Sequence, residues 1–396
     1  MNANIIKKNP ILLKAARLAR RILGRGWMRA AHVRGVKANT VFFSSFHGKS
    51  CSDSPKRISD ALHRLNPEID IVWQLHNRAD APDYARTVRP HSLAALSEIA
   101  RARCIVDNFN RPIHFLKFSD QIYVQTWHGD RGFKKILYDL NDGLKYPDGA
   151  QMDLAVSGSD FGTRVFRSAF RYSGEVMQLG MPRNDCLLSP NAEDIRRVRS
   201  LLGIRDDKKI MLYAPTFRDA TVGGAFSADF DIRRALDALE RSTGERWRCL
   251  VRAHDLNRGI ARAADATDVT NYPEMSDLLL IADLLITDYS SSAGDFVLLD
   301  RPVILYQPDL DAFMKSDREM YFDIRSCPYV RAESEDALMQ LLGDFPSIPA
   351  DGSAVRAFYG VTETGKSAEA VAEWIEKRMN RKLSFLQPHM NMGIQQ

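Results

Sequence analysis

The feature of this chain that most constrains its fold is a repeated alternation of apolar strand-like runs with amphipathic helical segments. The first series begins with the strand-like run TVFFSSF (40–46), which is followed by the helical pattern SPKRISDALHRL (54–65). A second series begins at KIMLYAPTF (209–217) and runs to PVILYQ (302–307). Strands that alternate with helices form parallel sheets through right-handed crossovers. The sequence therefore predicts an α/β fold with two doubly wound, Rossmann-type domains that face each other across a cleft.

Four segments follow from this pattern. Residues 1–37 are a basic amphipathic segment, 38–186 form the N-terminal domain, 187–380 form the C-terminal domain, and 381–396 are predicted to be a disordered tail. We place the change of domain after the turn MPRND, where the first strand–helix series ends.

Positive charge is concentrated at the start of the chain. The net charge is +5, yet 11 Lys and Arg precede the first acidic residue, Asp53, and the remainder holds 44 basic against 50 acidic residues. The chain from Asp53 onward therefore lacks the excess of positive charge that is typical of a nucleic-acid-binding domain. The five cysteines are scattered without a CxxC pair, which predicts reduced thiols in a cytosolic protein. No apolar run reaches the ~18 residues of a membrane span, and no secretory signal is expected.

The first segment, NPILLKAARLARRILGRGWMRAAHV, has helical periodicity. Its apolar arc consists of Ile11, Leu12, Ala15, Leu18, Ala19, Ile22 and Leu23, and its basic arc of Lys14, Arg17, Arg20, Arg21 and Arg25. Such a helix can lie in the interface of an anionic membrane. The alternatives are a helix that packs on a domain with its basic face in solvent, and an organellar transit peptide.

Ligands of open α/β sheets bind beyond the carboxyl ends of the strands, so polar residues at strand ends are the candidates for function. The strand in ITDYSSSAGDF (286–296) ends in Ser290, Ser291 and Ser292, which open a helix. Free N–H groups and hydroxyls at a helix start favour a phosphate, and the alternative is N-capping by one serine. Asp295 lies one turn on from Ser291, where it could hold ribose hydroxyls or simply pair with the helix dipole.

Two histidines follow other strands. His128 in TWHGDRG is a candidate general base, and the alternative is a structural histidine bonded to a carbonyl. In VRAHD, Arg252 and His254 are two residues apart and so share one strand face, where they could clamp phosphoryl oxygens. The alternative there is a surface salt bridge to Asp255. The motifs DLD (309–311) and DFD lack the strand context of metal-using transferases, so no metal is predicted.

Taken together, the motifs resemble the CDP-glycerol glycerophosphotransferases of the teichoic acid polymerase and primase type. The resemblance runs from about residue 40 to about 325 through SFHGKSCSDSPKRI, QTWHGDRGFKKI, LGMPRNDCLL, LYAPTFRD, VRAHD and MSDLLLIADLLITDYSSSAGDFVLLDRPVILY. It implies a GT-B-like fold with an N-terminal acceptor domain and a C-terminal nucleotide domain. It also implies transfer of a polyol phosphate from a CDP-activated donor to a lipid-linked acceptor, with release of CMP and without a cofactor, at the cytoplasmic membrane face.

The resemblance also implies roles for particular residues. His128 would deprotonate the acceptor hydroxyl, and His254 would stabilise the departing charge. The donor-binding residues implied are Gly129, Asp130, Arg131, Gly132, Arg183, Pro215, Thr216, Arg252, Ala253, Ser290, Ser291 and Asp295.

Two departures from the family pattern lie beside the two histidines. The family loop after WHG usually continues with Thr-Pro, where this chain has Asp130-Arg131, and RxH is commonly followed by Pro or an aromatic residue, where this chain has Asp255. Two other functions therefore stay open: a nucleotide-sugar glycosyltransferase of the same fold, and an inactive, membrane-tethered binding protein.

Overall fold

The computed structural model describes residues 10–112, 115–146, 148–216, 230–253, 266–316 and 319–381. Within them, a seven-stranded and a six-stranded sheet each have the doubly wound strand order, and the paired strands are all parallel. The prediction of two parallel-sheet α/β domains is confirmed.

The N-terminal sheet has the order β3-β2-β1-β4-β5-β6-β7. Its strands are β1 (Lys37–Ser44), β2 (Asp70–Gln74), β3 (Arg86–Val88), β4 (Ala102–Asp107), β5 (Ile122–Gln125), β6 (Leu154–Ser157) and β7 (Glu175–Gln178). The order reverses between β1 and β4, and a switch point of this kind opens a crevice at the carboxyl ends of the two strands.

The C-terminal sheet has the order β10-β9-β8-β11-β12-β13. Its strands are β8 (Lys209–Ala214), β9 (Trp247–Val251), β10 (Ala266–Asp268), β11 (Leu284–Thr287), β12 (Val303–Tyr306) and β13 (Val330–Ala332). Its switch point lies between β8 and β11, so the serine run after β11 lies at the crevice.

Helices cover both faces of the sheets. They are α1 (Pro10–His32), α2 (Asp53–Leu65), α3 (Leu93–Arg101), α4 (Asp160–Ser168), α5 (Asp185–Leu188), α6 (Ala192–Leu201), α7 (Ile232–Thr243), α8 (Met275–Ile281), α9 (Ser292–Phe296), α10 (Leu310–Ser316), α11 (Glu335–Gly343), α12 (Ser353–Tyr359) and α13 (Ser367–Arg381). Because both faces are covered, central strands read as continuous apolar runs, and all six residues of β4 are buried.

The final helix returns to the first domain. Val371 and Ile375 of α13 are fully buried in a cluster that includes Val41 and Ile58, and α13 packs along α2. The sequence places α13 in the range 187–380 of the second domain, whereas its apolar stripe is covered by the first.

The C-terminal part of helix α1 packs on α3. Much of the predicted apolar arc, which lies earlier in α1, is uncovered. Met28 is fully buried, and Trp27 Nε1 donates to Ser97 Oγ at 2.9 Å. Four residues of the arc are exposed: Leu18, Ala19, Ile22 and Leu23. A helix that served only to pack on α3 would bury that arc. Within the described part of the chain, no helix has the length and apolar character needed to cross a membrane.

Candidate functional site

An interdomain cleft of about 350 Å³, which we call the aromatic cleft, brings residues of both sheets together. The N-terminal domain contributes His128, Gly129 and Gly132, and the C-terminal domain contributes Tyr289 and Ser291. The other residues that line it are Phe109, Asn110, Trp127, Phe133, Lys134, Ile136, Leu137, Leu140, Tyr146, Phe161, Val165 and Tyr321. The structure thus unites the histidine of TWHG with the serine run.

His128 is half-buried and has a defined orientation. Its Nδ1 lies 2.8 Å from the backbone oxygen of Asn108, and because a carbonyl can only accept, Nδ1 carries the proton and Nε2 keeps its lone pair. Its ring stacks on Phe109 with 5.0 Å between centroids and 9° between planes. Burial lowers the pKa of His128. The ring is therefore neutral near pH 7 and can accept a proton at Nε2.

A hydrogen-bond network beneath the cleft fixes that orientation. Buried Gln125 donates from Nε2 to Phe109 O (3.1 Å) and to Tyr123 Oη (2.8 Å), and its Oε1 accepts from Trp127 N (2.9 Å). Trp127, next to His128, has φ +53°. A non-glycine residue held in that region stores strain, which surrounding bonds must offset.

Asn108 joins the histidine to the loop after β1. Its backbone oxygen accepts from His128, its Oδ1 accepts from Phe46 N at 2.9 Å, and its Nδ2 donates to Ser45 Oγ at 3.2 Å. Phe46 and His47 also have positive φ, +47° and +58°. Asn108 therefore couples two strained loops at the switch point of the first sheet.

The serine run approaches the histidine loop closely. A β-carbon placed on Gly129 would lie 3.5 Å from Ser291 Oγ, an ordinary van der Waals distance, so Gly129 lies next to Ser291 across the domain interface. Ser292 donates from its backbone N to Ser290 Oγ at 3.3 Å, and Ser291 makes no capping bond to α9. Ser290 thus orders the turn, whereas Ser291 faces the cleft. The capping interpretation therefore applies to Ser290 and the ligand interpretation to Ser291.

Thr216 and Pro215 lie at the end of β8, next to the serine turn. Thr216 donates from N (2.9 Å) and Oγ1 (2.8 Å) to Asp288 Oδ1, which ties the ends of β8 and β11 together. Pro215 is buried. Neither is among the described residues that line the aromatic cleft or a second opening near Phe46 and Arg252, so their contact with a donor stays a prediction.

A second opening, of about 710 Å³, lies on the other side of Phe46, whose ring is edge-on to His128 with 5.5 Å between centroids. We call it the basic cleft because Lys49 and Arg252 line it, together with Ala253. Its other lining residues are Ser50, Cys51, Asp80, Thr270, Asn271, Tyr272 and Pro273.

Arg252 is the described residue of the basic cleft best suited to an anion. Its Nη1 is buried and has no hydrogen-bond partner among the described residues, and burial lowers its pKa. A buried, unpaired guanidinium N–H costs stability unless a ligand accepts from it. His254, the second predicted catalytic histidine, lies outside the described residues, as does Asp255.

Four predicted donor-binding residues lie in or beside an interdomain charge cluster rather than on a cleft wall. They are Asp130, Arg131, Arg183 and Asp295. Arg131, fully buried, donates from Nη2 to Asp295 Oδ1 at 2.6 Å and from Nη1 to Glu363 Oε1 at 2.9 Å. Arg183 Nε donates to Asp295 Oδ2 at 3.1 Å, and Asn184 Nδ2 donates to Asp295 Oδ1 at 2.9 Å. The charges of Arg183 and Arg131 lower the pKa of Asp295 although burial opposes them. Both Asp295 oxygens are occupied, so this arrangement does not support the predicted contact with ribose.

Asp130 has an internal role too. Its carboxylate accepts from Ser157 Oγ (2.9 Å), Gly158 N (3.1 Å) and Ser159 Oγ (2.7 Å). A β-carbon on Gly162 would lie 1.9 Å from Asp130 Oδ1, so α4 can approach only because that side chain is missing. The departure from the family's Thr-Pro is thus accommodated by the start of α4, and donor contacts by Asp130 and Arg131 do not follow from their positions.

The sequence analysis does not predict two carboxylates, Asp53 and Glu274, that meet at the domain interface. The backbone N of Asp53 donates to Glu274 at 3.2 Å across the domain interface, and Asp53 Oδ1 lies 3.8 Å from Arg183 Nη1. Burial, reinforced by the charge of Asp53 and opposed by Arg57, raises the pKa of Glu274 to about 7. Asp53 has φ +62°. A strand-end search would have found Asn108 in VDNF and Gln125, the last residue of β5, but no local signal marks Glu274.

Among the described residues, no group of three or more His, Cys, Asp or Glu side chains is placed to hold a metal ion. The basic groups near the clefts are side chains of Arg and Lys, which can offset phosphate charge themselves.

Comparisons with a family model and with known proteins all indicate the same family. The family model described as CDP-glycerol:poly(glycerophosphate) glycerophosphotransferase matches residues 27–377. The teichoic acid poly(glycerol phosphate) polymerase of Bacillus subtilis (strain 168) is 30% identical over 371 residues, which cover 86% of this chain and 49% of that protein. The teichoic acid glycerol-phosphate transferase of Staphylococcus aureus (strain NCTC 8325 / PS 47) is 31% identical over 331 residues, covering 77% and 83%. The chain thus spans about half the length of the first relative.

Solved structures are similar as well. The wall teichoic acid polymerase TagF superposes with a TM-score of 0.80 at 28% identity, covering 97% of this chain and 100% of that one. A TagF variant with asparagine in place of a histidine, soaked with CDPG, gives a TM-score of 0.78 at 26% identity with the same coverage.

Proposed function

Since this chain belongs to the CDP-glycerol:poly(glycerophosphate) glycerophosphotransferase family, we propose that it transfers glycerol phosphate from CDP-glycerol to a hydroxyl of a lipid-linked or growing polymer acceptor. The product CMP is released, and the reaction serves the synthesis of teichoic-acid-like or capsular cell-surface polymers. Two curated relatives named for glycerol phosphate support the choice of donor.

The observation that carries the proposal is the position of His128. Its Nε2 is the free acceptor of a neutral, oriented imidazole, and it lies on a cleft that Ser291 of the other domain also lines. A general base needs that combination of protonation state and access to substrate.

The proposed reaction is an in-line displacement at phosphorus. The acceptor oxygen forms a bond to the phosphorus that carries glycerol, the bond from that phosphorus to the bridging oxygen breaks, and CMP leaves with the bridging oxygen. The acceptor proton passes to Nε2 of His128. Arg252 and Ser291 would donate hydrogen bonds to the diphosphate, whose charge rises on the leaving side. We assign no step to a metal, and His254 keeps its predicted role beside Arg252.

We interpret the two domains and the clefts between them as a GT-B arrangement. The support is that His128, which follows β5, and Ser291, which follows β11 of the other sheet, line one cleft and that α13 returns to the first domain. In such an arrangement the acceptor domain carries the base and the nucleotide domain carries the phosphate-binding serines.

We further propose that α1 holds the protein at the cytoplasmic face of an anionic membrane. Leu18, Ile22 and Leu23 are 55%, 61% and 72% exposed on a helix rich in arginine. Apolar side chains that insert into the headgroup region and cations that pair with anionic lipids bind such a surface together.

The test of the reaction is a panel of CDP-glycerol, CDP-ribitol, UDP-sugars and GDP-sugars with a lipid-linked disaccharide analogue, with CMP release and product mass as readouts. CMP release with CDP-glycerol and a product heavier by one glycerol phosphate unit support the proposal. UDP or GDP release would favour the glycosyltransferase alternative, and turnover of none of the donors would favour the binding protein.

The membrane proposal has a separate test. Replacing Leu18, Ile22 and Leu23 with Glu should abolish sedimentation with anionic liposomes at low salt. The matched control is Leu201→Glu, because Leu201 is 65% exposed on α6 of the other domain. Equal sedimentation of the triple variant and the control would reject the proposal.

A further inference from the structure

Asp53, the first residue of α2, has a backbone conformation that is uncommon for a residue other than glycine. Its φ is +62°, and its backbone N donates to both carboxylate oxygens of Glu274 at 3.2 Å. Strained positions of this kind persist where surrounding contacts hold them, and they cluster at functional sites. An aspartate that served only the dipole of α2 would need neither the left-handed backbone nor a partner from the other domain.

The carboxylate of Asp53 keeps much of its charge available. Among the described residues, no cation donates a hydrogen bond to it. Its Oδ1 accepts from Ser54 N at 2.6 Å and lies 3.8 Å from Arg183 Nη1. Arg183 instead directs Nε (3.1 Å) and Nη2 (3.4 Å) to Asp295. Because the Asp53 side chain is only 12% exposed, solvent screens its charge little, and that charge acts on neighbouring groups.

His128 is one of those neighbouring groups. Burial lowers the pKa of His128 and the charge of Arg183 lowers it further, whereas the backbone oxygen of Asn108 and the charge of Asp53 raise it. Asp53 is the one carboxylate among the described groups that act in this way on the imidazole. The other titratable or charged groups described around the ring are His47, Lys134, Tyr146, Tyr289 and Tyr321.

The proposed reaction creates a positive charge on this ring. When Nε2 takes the proton of the acceptor hydroxyl, the imidazole becomes an imidazolium. Charging a partly desolvated ring is unfavourable unless a negative group lies nearby. Asp53 can supply that negative charge through space. No proton moves to Asp53, so its carboxylate stays ionised throughout the step.

We propose that Asp53 is a positioning residue that acts through His128: its carboxylate stabilises the imidazolium electrostatically, and Glu274 of the C-terminal domain holds Asp53 in place for this purpose. The inference rests on the proposed function for the role of His128 as the base. The charge state of the imidazole can nevertheless be measured without turnover.

The experiment compares the full chain of the wild type with Asp53→Asn and Asp60→Asn. Asparagine offers an Oδ1 acceptor to Ser54 N and tolerates a positive φ, so Asp53→Asn removes the charge and little else. Asp60 is the matched control, because it also lies on α2, pairs with Lys56, and is not among the residues that line either cleft. NMR of isotope-labelled histidine follows the protonation of His128, whose signal is identified by its loss in His128→Asn.

In Asp53→Asn the titration of His128 and the acid limb of kcat/KM should both move to lower pH, because the imidazolium loses its counter-charge. A weaker base should lower kcat by about 3- to 30-fold, while the KM for CDP-glycerol and the urea midpoint change little. Asp60→Asn should change none of these. If Asp53→Asn does not fold, Asp53→Gly removes the same charge at a backbone angle that glycine accepts.

An unmoved titration of His128, or an equal shift in Asp60→Asn, would overturn the proposal. A fall in kcat with an unmoved acid limb would assign Asp53 a structural role instead. The result is separable from that of the donor panel. A moved titration with no donor turned over would reject the proposed reaction and keep Asp53 as the charge partner of His128, whereas turnover of CDP-glycerol with an unmoved titration would do the reverse.

Discussion

The two sides of the interdomain opening are organised differently. On the histidine side, the polar groups of Asn108 and Gln125 are bonded within the N-terminal domain, and His128 itself is fixed by a carbonyl. On the other side, Arg252 keeps a buried donor without a described partner, and Ser291 makes no capping bond. The base is thus held in place before substrate arrives, whereas the anion-binding side has hydrogen bonds left to make. Preorganised groups can act on the transition state without reorganisation, and unsatisfied donors favour binding of an anion.

The largest effect we expect is from His128→Ala. Loss of a general base typically lowers the rate by about 10²–10⁴-fold, so kcat for CMP release should fall by about that factor while the KM for CDP-glycerol changes little. His32 is a matched control, because its Nδ1 also lies 2.8 Å from a backbone oxygen, that of Ala100, and it lies outside both clefts. If His32→Ala and His128→Ala lowered kcat equally, the claim that the histidine side holds a preoriented general base would be rejected.

The second prediction concerns the interdomain charge cluster that joins the two sides. Arg131→Met would leave Glu363 without its buried cationic partner and Asp295 with Arg183 alone, and breaking a buried pair in this way costs about 3–5 kcal/mol. Urea denaturation should show that loss. The control is Arg325→Met, since the Arg325–Asp311 pair is exposed and solvent screens its charges. A loss below about 1 kcal/mol for Arg131→Met would contradict a stabilising role for the cluster.

The third prediction tests the anion-binding side. Arg252→Ala should raise the KM for CDP-glycerol by about 10- to 100-fold, which corresponds to the ~1.5–3 kcal/mol of a hydrogen bond to a charged group. Arg248→Ala on β9, the strand that Arg252 follows, is the control, because Arg248 pairs with Asp206 outside the clefts. An unchanged KM with Arg252→Ala would place the diphosphate elsewhere.

The fourth prediction is the pH dependence of the base. Burial lowers the pKa of His128, so the neutral, proton-accepting form persists below the ordinary imidazole value of about 6.5. The acid limb of kcat/KM should therefore have its midpoint below that value, with activity lost only as pH falls further. A midpoint above 6.5 that disappears in His128→Asn would show that the imidazole is stabilised in its charged form instead.

The smallest effect expected is that of metal removal. Because Arg and Lys side chains supply the positive charge at the basic cleft, we expect EDTA to change kcat by less than about twofold. A loss of activity that Mg²⁺ or Mn²⁺ restores would show that the anion side is completed by a metal ion.

The strand-end rule found much of this site from the sequence. His128, Gly129 and Ser291 were predicted from TWHG and DYSS, and they share one cleft. The same rule could have found Asn108. It failed to separate residues that face the cleft from those that pair internally, since Arg131 meets Glu363 across 232 positions of the chain. Local sequence contains no information about such a partner.

The sequence by itself determined the two α/β series, the doubly wound architecture and the types of residue at the strand ends, because periodicity and apolar content are local properties. Tertiary structure decided which of those residues are available to a ligand. Arg131 and Arg183 both pair with Asp295 between the domains, whereas Arg252 lies on the wall of the basic cleft. The physical reason is desolvation: a buried charge must find a partner, and which partner it meets depends on how the two domains pack.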